Sequence, residues 1–75
     1  MTRRVLIDDI NKVKEFVTHT LKCRGEVVAV SGKYRVDGRS IMGLLSLNLS
    51  EPIVIEYDEE DSELLNMLVG KFYVR

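Results

Sequence analysis

The sequence predicts an α+β fold in which helices cover one face of a four-stranded antiparallel sheet. Short β-branched, apolar segments alternate with segments whose apolar residues recur at helical spacing, in the order β-α-β-β-α-β-α. The chain has 75 residues, 45% hydrophobic and 31% charged, which suits one globular domain. We therefore expect residues 1–75 to form a single domain with a thin core. The same order also permits a ferredoxin-like βαββαβ arrangement.

The first third of the chain predicts a strand followed by a helix. Residues 3–7 are short, β-branched and apolar, and Asp8 or Asp9 can cap the helix that follows. Gly25 stands where a helix C-cap glycine is expected. The apolar face predicted for this helix consists of Ile10, Val13, Val17 and Leu21, with Phe16 at its edge.

The middle of the chain predicts a hairpin and a short helix. Residues 26–31 and 34–36 form the two strands, and Gly32 lies in the turn between them. Ser40 is expected to cap a helix over residues 41–47.

The last third predicts a strand over residues 52–57 and then a helix. The acidic run 58–61 is expected to be a solvated helix start, which the helix dipole favours. Gly70 is a candidate for ending or weakening the helix. Its apolar face is predicted to consist of Leu64, Leu65, Leu68 and Phe72.

Composition argues against several classes of partner and cofactor. The net charge is −1 and the basic residues are scattered, so we expect no nucleic-acid binding. No stretch approaches the roughly 18 apolar residues of a membrane span, so we expect no membrane partner. The single cysteine gives no disulfide, and no set of Cys and His residues predicts a metal or other cofactor. We expect a cytoplasmic protein.

Residues 38–47, Gly-Arg-Ser-Ile-Met-Gly-Leu-Leu-Ser-Leu, are the most specific segment. They resemble the Lys-Ser-Ile-Met-Gly-x-Met-Ser-Leu stretch of the HPr phosphocarriers of the bacterial sugar phosphotransferase system. The element order is also similar to that family from the first strand to the last helix. The resemblance implies an HPr-like open-faced β-sandwich. It also implies protein partners: a phosphotransferase-system enzyme, a serine kinase or a transcription factor.

The chain departs from the family at the histidine that carries the phosphoryl group. Counting back from Ser40 without gaps places Asp9 near that position, and residues 8–12 contain no histidine, arginine or proline. Asp9 is a poor acyl-phosphate site, because such sites usually need a bound Mg²⁺ held by several carboxylates. His19, the only histidine, is expected in solvent, far from the helix N-terminus. We therefore expect no catalytic residue and no enzyme.

Ser40 is the candidate regulatory residue. The resemblance implies a phosphorylation site, and Arg39 could pair with the phosphate or guide a kinase. The alternative is a plain N-cap serine. The neighbouring Ile41, Met42 and Leu45 match the family positions that form an exposed, partner-binding apolar patch. The alternative is that these three side chains pack into the core.

Three functions remain open from the sequence. The first is an HPr-like regulatory, protein-binding module without histidine phosphotransfer, gated by phosphorylation of Ser40. The second is an active phosphocarrier that uses a non-standard residue. The third is an interaction domain that kept only the fold. The intact Ser40 segment and the missing histidine favour the first. Cys23 is expected to be a small buried hydrophobe.

Overall fold

The computed structural model describes the backbone of residues 1–72 and the side chains of residues 1–67. The sheet has four strands in the order β1-β4-β2-β3, and every neighbouring pair is antiparallel. The expected α+β class is confirmed. The ferredoxin-like alternative is wrong, because β4 and not β3 separates the parallel strands β1 and β2. The elements are β1 (Thr2–Val5), α1 (Ile10–Thr20), β2 (Val27–Ser31), β3 (Tyr34–Asp37), α2 (Ile41–Leu45), β4 (Ile53–Tyr57), a 3-10 turn (Glu59–Asp61) and α3 (Ser62–Phe72).

The core lies between the helices and one face of the sheet. Strand β4 shows the pattern, since Ile53, Ile55 and Tyr57 are buried while the residues between them are half-buried. Phe16 of α1 and Leu65 of α3 cover this face from above. Burial of these apolar side chains stabilises the packing of the helices on the sheet.

Helix α1 begins as expected but buries a different face. Asp9 caps it, with its carboxylate accepting the backbone N–H of Lys12 at 2.9 Å. The predicted face is wrong at both ends, because Ile10 is 45% and Leu21 64% exposed. The buried residues are Val13, Phe16, Val17 and Thr20.

The helix also ends earlier than Gly25 predicts. Its C-cap is Leu21, in right-handed conformation, and the described glycines include only Gly32 with a positive φ, 58°. Gly32 therefore makes the expected hairpin turn. A Cβ on Gly25 would meet the side chain of the exposed Asp58, which would have to move.

The acidic run is not wholly a solvated helix start. It forms the 3-10 turn before α3, and Asp61 is only 5% exposed. Helix α3 continues to Phe72, so Gly70 does not end it. Leu65 is buried and Leu64 half-buried, as their spacing predicts. The predicted core positions Leu68 and Phe72 have side chains outside the described residues.

Candidate functional site

Ser40 caps α2, as the sequence predicts. Its hydroxyl oxygen accepts the backbone N–H of Gly43 at 3.1 Å, and its own N–H donates to the carbonyl of Asp37 at 3.1 Å. Ser40 is half-buried. The Ser40 side chain therefore lies at the protein surface, partly exposed to solvent. We call residues 37–40 the Ser40 turn.

Contacts from two other elements fix the Ser40 turn. The N–H of Gly38 donates to the carbonyl of Val27 on β2 at 2.8 Å, and the carbonyl of Gly38 accepts the hydroxyl of Thr20 at 2.9 Å. A Cβ on Gly38 would lie 2.6 Å from Cγ1 of Val27, so only glycine fits without a shift. The turn is therefore held to both α1 and the sheet.

The charged residues of the Ser40 turn interact with each other. Asp37 accepts the backbone N–H of Arg39 at 2.9 Å through Oδ1, and Nε of Arg39 is 3.6 Å from the same oxygen. The contact between Nε of Arg39 and Oδ1 of Asp37 is therefore an ion pair, since 3.6 Å is too long for a hydrogen bond. Since both side chains are partly exposed, the pair contributes little to folding.

Helix α2 presents three apolar side chains to solvent. Ile41 is 36%, Met42 79% and Leu45 45% exposed. We call these three residues the apolar patch. Leu44 and Leu47 pack into the core instead, so the helix is anchored while the patch stays exposed. The alternative that the three side chains pack down is not observed.

Helix α1 exposes two large apolar residues, Ile10 and Leu21, that the sequence interpretation placed in the core. Helix α1 packs against α2, and the hydrogen bond from Thr20 to Gly38 holds its C-terminal end to the Ser40 turn. Leu21 is the C-cap at that end, whereas Ile10 is the first residue of the helix and lies at the other end.

Asp9 lies at the opposite end of α1 from the Ser40 turn. The helix has 11 residues, so the two ends are about 16 Å apart. Beside Asp9, the carboxylate of Asp8 accepts a hydrogen bond from Nζ of Lys12 at 2.8 Å, which lowers the pKa of Asp8 and raises that of Lys12. Both carboxylates thus bind neighbouring groups of the helix. His19 is half-buried rather than fully exposed, and it lies in the last turn of α1, far from the helix N-terminus as expected.

Asp61 forms an anchor that the sequence interpretation missed. Its two carboxylate oxygens accept the backbone N–H groups of Arg24 and Gly25 at 2.9 and 2.8 Å. The nearby Cys23 is 7% exposed, as expected, and burial together with the charge of Asp61 raises the pKa of its thiol to about 11. Such a thiol is a poor nucleophile at neutral pH.

Among the described residues, no group of three or more His, Cys, Asp or Glu side chains could hold a metal ion. No helix in residues 1–72 is long and apolar enough to cross a membrane.

No protein-family model matches the sequence, and no curated protein is similar enough to count as a relative. Several solved structures do match the fold of this chain. HPr-C-His from Thermoanaerobacter tengcongensis superposes with a TM-score of 0.79 at 20% identity, over 93% of this chain and 88% of that one. The fold is that of the HPr proteins.

Two further HPr structures agree. The phosphocarrier protein HPr of Bacillus anthracis str. Ames has a TM-score of 0.78 and 21% identity, over 96% of this chain and 95% of that one. The histidine-containing phosphocarrier protein of Mycoplasma has a TM-score of 0.73 and 13% identity, over 95% of this chain and 89% of that one. Identities this low establish the HPr fold alone.

Proposed function

We propose that this chain is an HPr-like regulatory module related to the sugar phosphotransferase system. It binds protein partners through Arg39 and the apolar patch, and phosphorylation of Ser40 gates that binding. It does not transfer phosphoryl groups through a histidine. The partners are a phosphotransferase-system enzyme, a serine kinase or a transcription factor.

The exposure of the apolar patch carries this proposal. An exposed cluster of large apolar side chains marks a surface for a partner, and three of them on a helix of five residues suit a protein interface. Methionine adapts its shape to a partner, and Met42 is the most exposed of the three. The cap at Ser40 starts the same helix, so a phosphate there adds charge beside the patch.

The N-terminus of α1 supports the absence of histidine phosphotransfer. Asp9 stands there as the helix cap, and Asp8 precedes it. Two carboxylates repel an incoming phosphoryl group by like charge. His19 lies nine residues further along the chain than Ile10, the first residue of α1.

The phosphorylation step is tested by intact mass. The protein is incubated with ATP and an HPr serine kinase, and in parallel with phosphoenolpyruvate and the first phosphotransferase enzyme. We expect the protein to gain the mass of one phosphoryl group in the ATP reaction, and the Ser40→Ala variant to gain none. We expect no gain in mass in the phosphoenolpyruvate reaction. Label only with phosphoenolpyruvate would overturn the proposal in favour of a phosphocarrier.

The docking step is tested with a matched pair of variants. Met42→Asp places a charge in the apolar patch, and Met67→Asp places the same charge on α3, where Met67 is similarly exposed at 74%. We expect Met42→Asp to weaken binding of the serine kinase at least about tenfold, as for a central interface residue, and Met67→Asp to leave it unchanged. Equal binding by both variants would exclude the patch as the interface.

A further inference from the structure

A depression beside the Ser40 turn collects three arginines from separate segments. Its volume is about 530 Å³, and it lies at the end of β2 and β3. Its lining includes Arg24, which precedes β2, Arg35 on β3 and Arg39 of the turn. A guanidinium group suits phosphate because its planar set of N–H donors matches two phosphate oxygens at once.

The three guanidinium groups differ in their present partners. Arg35 donates two hydrogen bonds to the carboxylate of Glu56, at 2.7 and 3.1 Å. Arg39 makes only the 3.6 Å contact with Asp37. The side chain of Arg24 makes no hydrogen bond or ion pair with any other residue that the structure describes. Arg24 and Arg39 are therefore available to an anion, and Arg35 is not.

The backbone that carries both groups is fixed before any ligand binds. Asp61 holds the N–H of Arg24, and the bonds of Gly38 to Val27 and Thr20 hold the Ser40 turn. A preformed backbone reduces the entropy lost on binding. The opposing charges in the lining are Asp37 and Glu26, and the carboxylates of Asp61 and Asp58 lie against the backbone of residues 24 and 25.

We propose that Arg24 and Arg39 form a binding site for a phosphate dianion, which displaces Asp37 from Arg39. The exposed Asp37 contact is weak, whereas a charge-assisted arginine–phosphate bond is among the stronger hydrogen bonds in proteins. The dianion is either a free phosphate or the phosphoryl group of Ser40, which follows Arg39 in the chain but does not itself line the depression. Only the second source rests on the function proposed above.

The first arm of the test uses the unmodified protein and inorganic phosphate. Amide chemical shifts are followed by NMR during a phosphate titration at constant ionic strength, with chloride as the reference anion. We expect saturable shifts in the Ser40 turn and at Arg24, and binding about fivefold weaker in Arg24→Gln and in Arg39→Gln. Lys33→Gln removes an exposed charge on the β2–β3 turn and serves as the matched control.

The second arm introduces phosphoserine at position 40 during translation, so no kinase is needed. The second ionisation of the phosphate, near pH 6 in free phosphoserine, is followed by ³¹P NMR. We expect a lower pKa with both arginines present than in Arg24→Gln or Arg39→Gln. If the arginine variants change only the pKa of the phosphoserine, the occupant of the site is the phosphoryl group of Ser40. If they change only the binding of inorganic phosphate, the occupant is a free phosphate.

Asp37→Asn distinguishes charge from structural damage. The asparagine oxygen can still accept the N–H of Arg39, but the competing charge is gone. We expect this variant to bind phosphate more tightly than the wild type. The proposal is overturned if Arg24→Gln and Arg39→Gln match the wild type in both arms, or if Asp37→Asn weakens binding.

Discussion

The hydroxyl of Thr20 donates a 2.9 Å hydrogen bond to the carbonyl oxygen of Gly38, 18 residues further along the chain. Thr20 is fully buried at the end of α1, and Gly38 is buried in the Ser40 turn. The contact therefore fixes the candidate regulatory serine relative to α1. Because Leu21 directly follows Thr20, the same contact places the C-terminal end of α1 beside the Ser40 turn.

Replacing Thr20 with valine tests this contact. Valine keeps the shape but removes the donor, which leaves a buried carbonyl without this hydrogen bond. We expect the free energy of unfolding to fall by about 1–2 kcal/mol, measured by urea denaturation. Thr18→Val is the matched control, because the hydroxyl of Thr18 donates to the carbonyl of Lys14 at 2.9 Å in an exposed position. Equal losses in the two variants would contradict the role assigned to Thr20.

Asp61 gives a second stability prediction. Asp61→Ala leaves the N–H groups of Arg24 and Gly25 without their acceptor, in a partly buried loop. We expect a loss of about 2–3 kcal/mol in the free energy of unfolding, since hydrogen bonds to a charged group are stronger than neutral ones. Glu60→Ala, in the same acidic run but exposed, should change stability by less than about 0.5 kcal/mol. If Glu60→Ala lowers the free energy of unfolding as much as Asp61→Ala, the cause is the total negative charge of residues 58–61 and not the hydrogen bonds of Asp61 to Arg24 and Gly25.

These two contacts show which parts of the fold the sequence can predict. The cap at Ser40 and the turn at Gly32 depend on residues close in the chain, and both were correctly predicted. Asp61 bonds Gly25 at a separation of 36 residues, which no local pattern reports. An acidic run before a helix predicts solvated charges, and only the folded chain brings one of them to the loop after α1.

The prediction of the buried face of α1 was wrong for the same reason, since this face depends on contacts between residues far apart in the chain. Helical spacing of the apolar residues predicts Ile10 and Leu21 inside, and this criterion does not select the polar Thr20. In the structure Thr20 is buried, since its hydroxyl has an acceptor in Gly38. Two large apolar residues of α1, Ile10 and Leu21, are therefore exposed in addition to the apolar patch on α2.

Cys23 is expected to resist thiol reagents in the folded protein. It is 7% exposed, and its raised pKa of about 11 leaves very little thiolate at pH 7. Labelling with a thiol-specific reagent should be fast in concentrated urea and slow in buffer. Its rate in buffer should rise in Asp61→Ala, because the loop opens more often and because the charge that raises the pKa of the thiol is removed. Rapid labelling of the folded wild type would contradict the burial described here.

The pair Arg35 and Glu56 predicts part of the response to acid. Hydrogen bonds from Arg35 lower the pKa of Glu56 below its ordinary value, so the folded state favours the charged carboxylate. The contribution of Glu56 to stability is therefore present above the unfolded carboxyl pKa of about 4.3 and lost as the pH falls through the lower folded value. We expect Glu56→Gln to show a shallower loss of stability than the wild type below about pH 5.

The measurement is the urea midpoint of wild type and Glu56→Gln between pH 2.5 and pH 7, at low salt and in 1 M NaCl. Glu56 and Arg35 are both solvent-accessible, so salt should screen their attraction and reduce the difference between the two proteins. Glu51→Gln is the control, because Glu51 is exposed and makes no hydrogen bond or ion pair with the residues that the structure describes. A carboxylate that is paired with Arg35 loses this partner when it takes up a proton, so a stabilising pair makes the urea midpoint depend on pH. If Glu56→Gln and Glu51→Gln show the same slope of urea midpoint against pH, the ion pair between Arg35 of β3 and Glu56 of β4 does not stabilise the sheet.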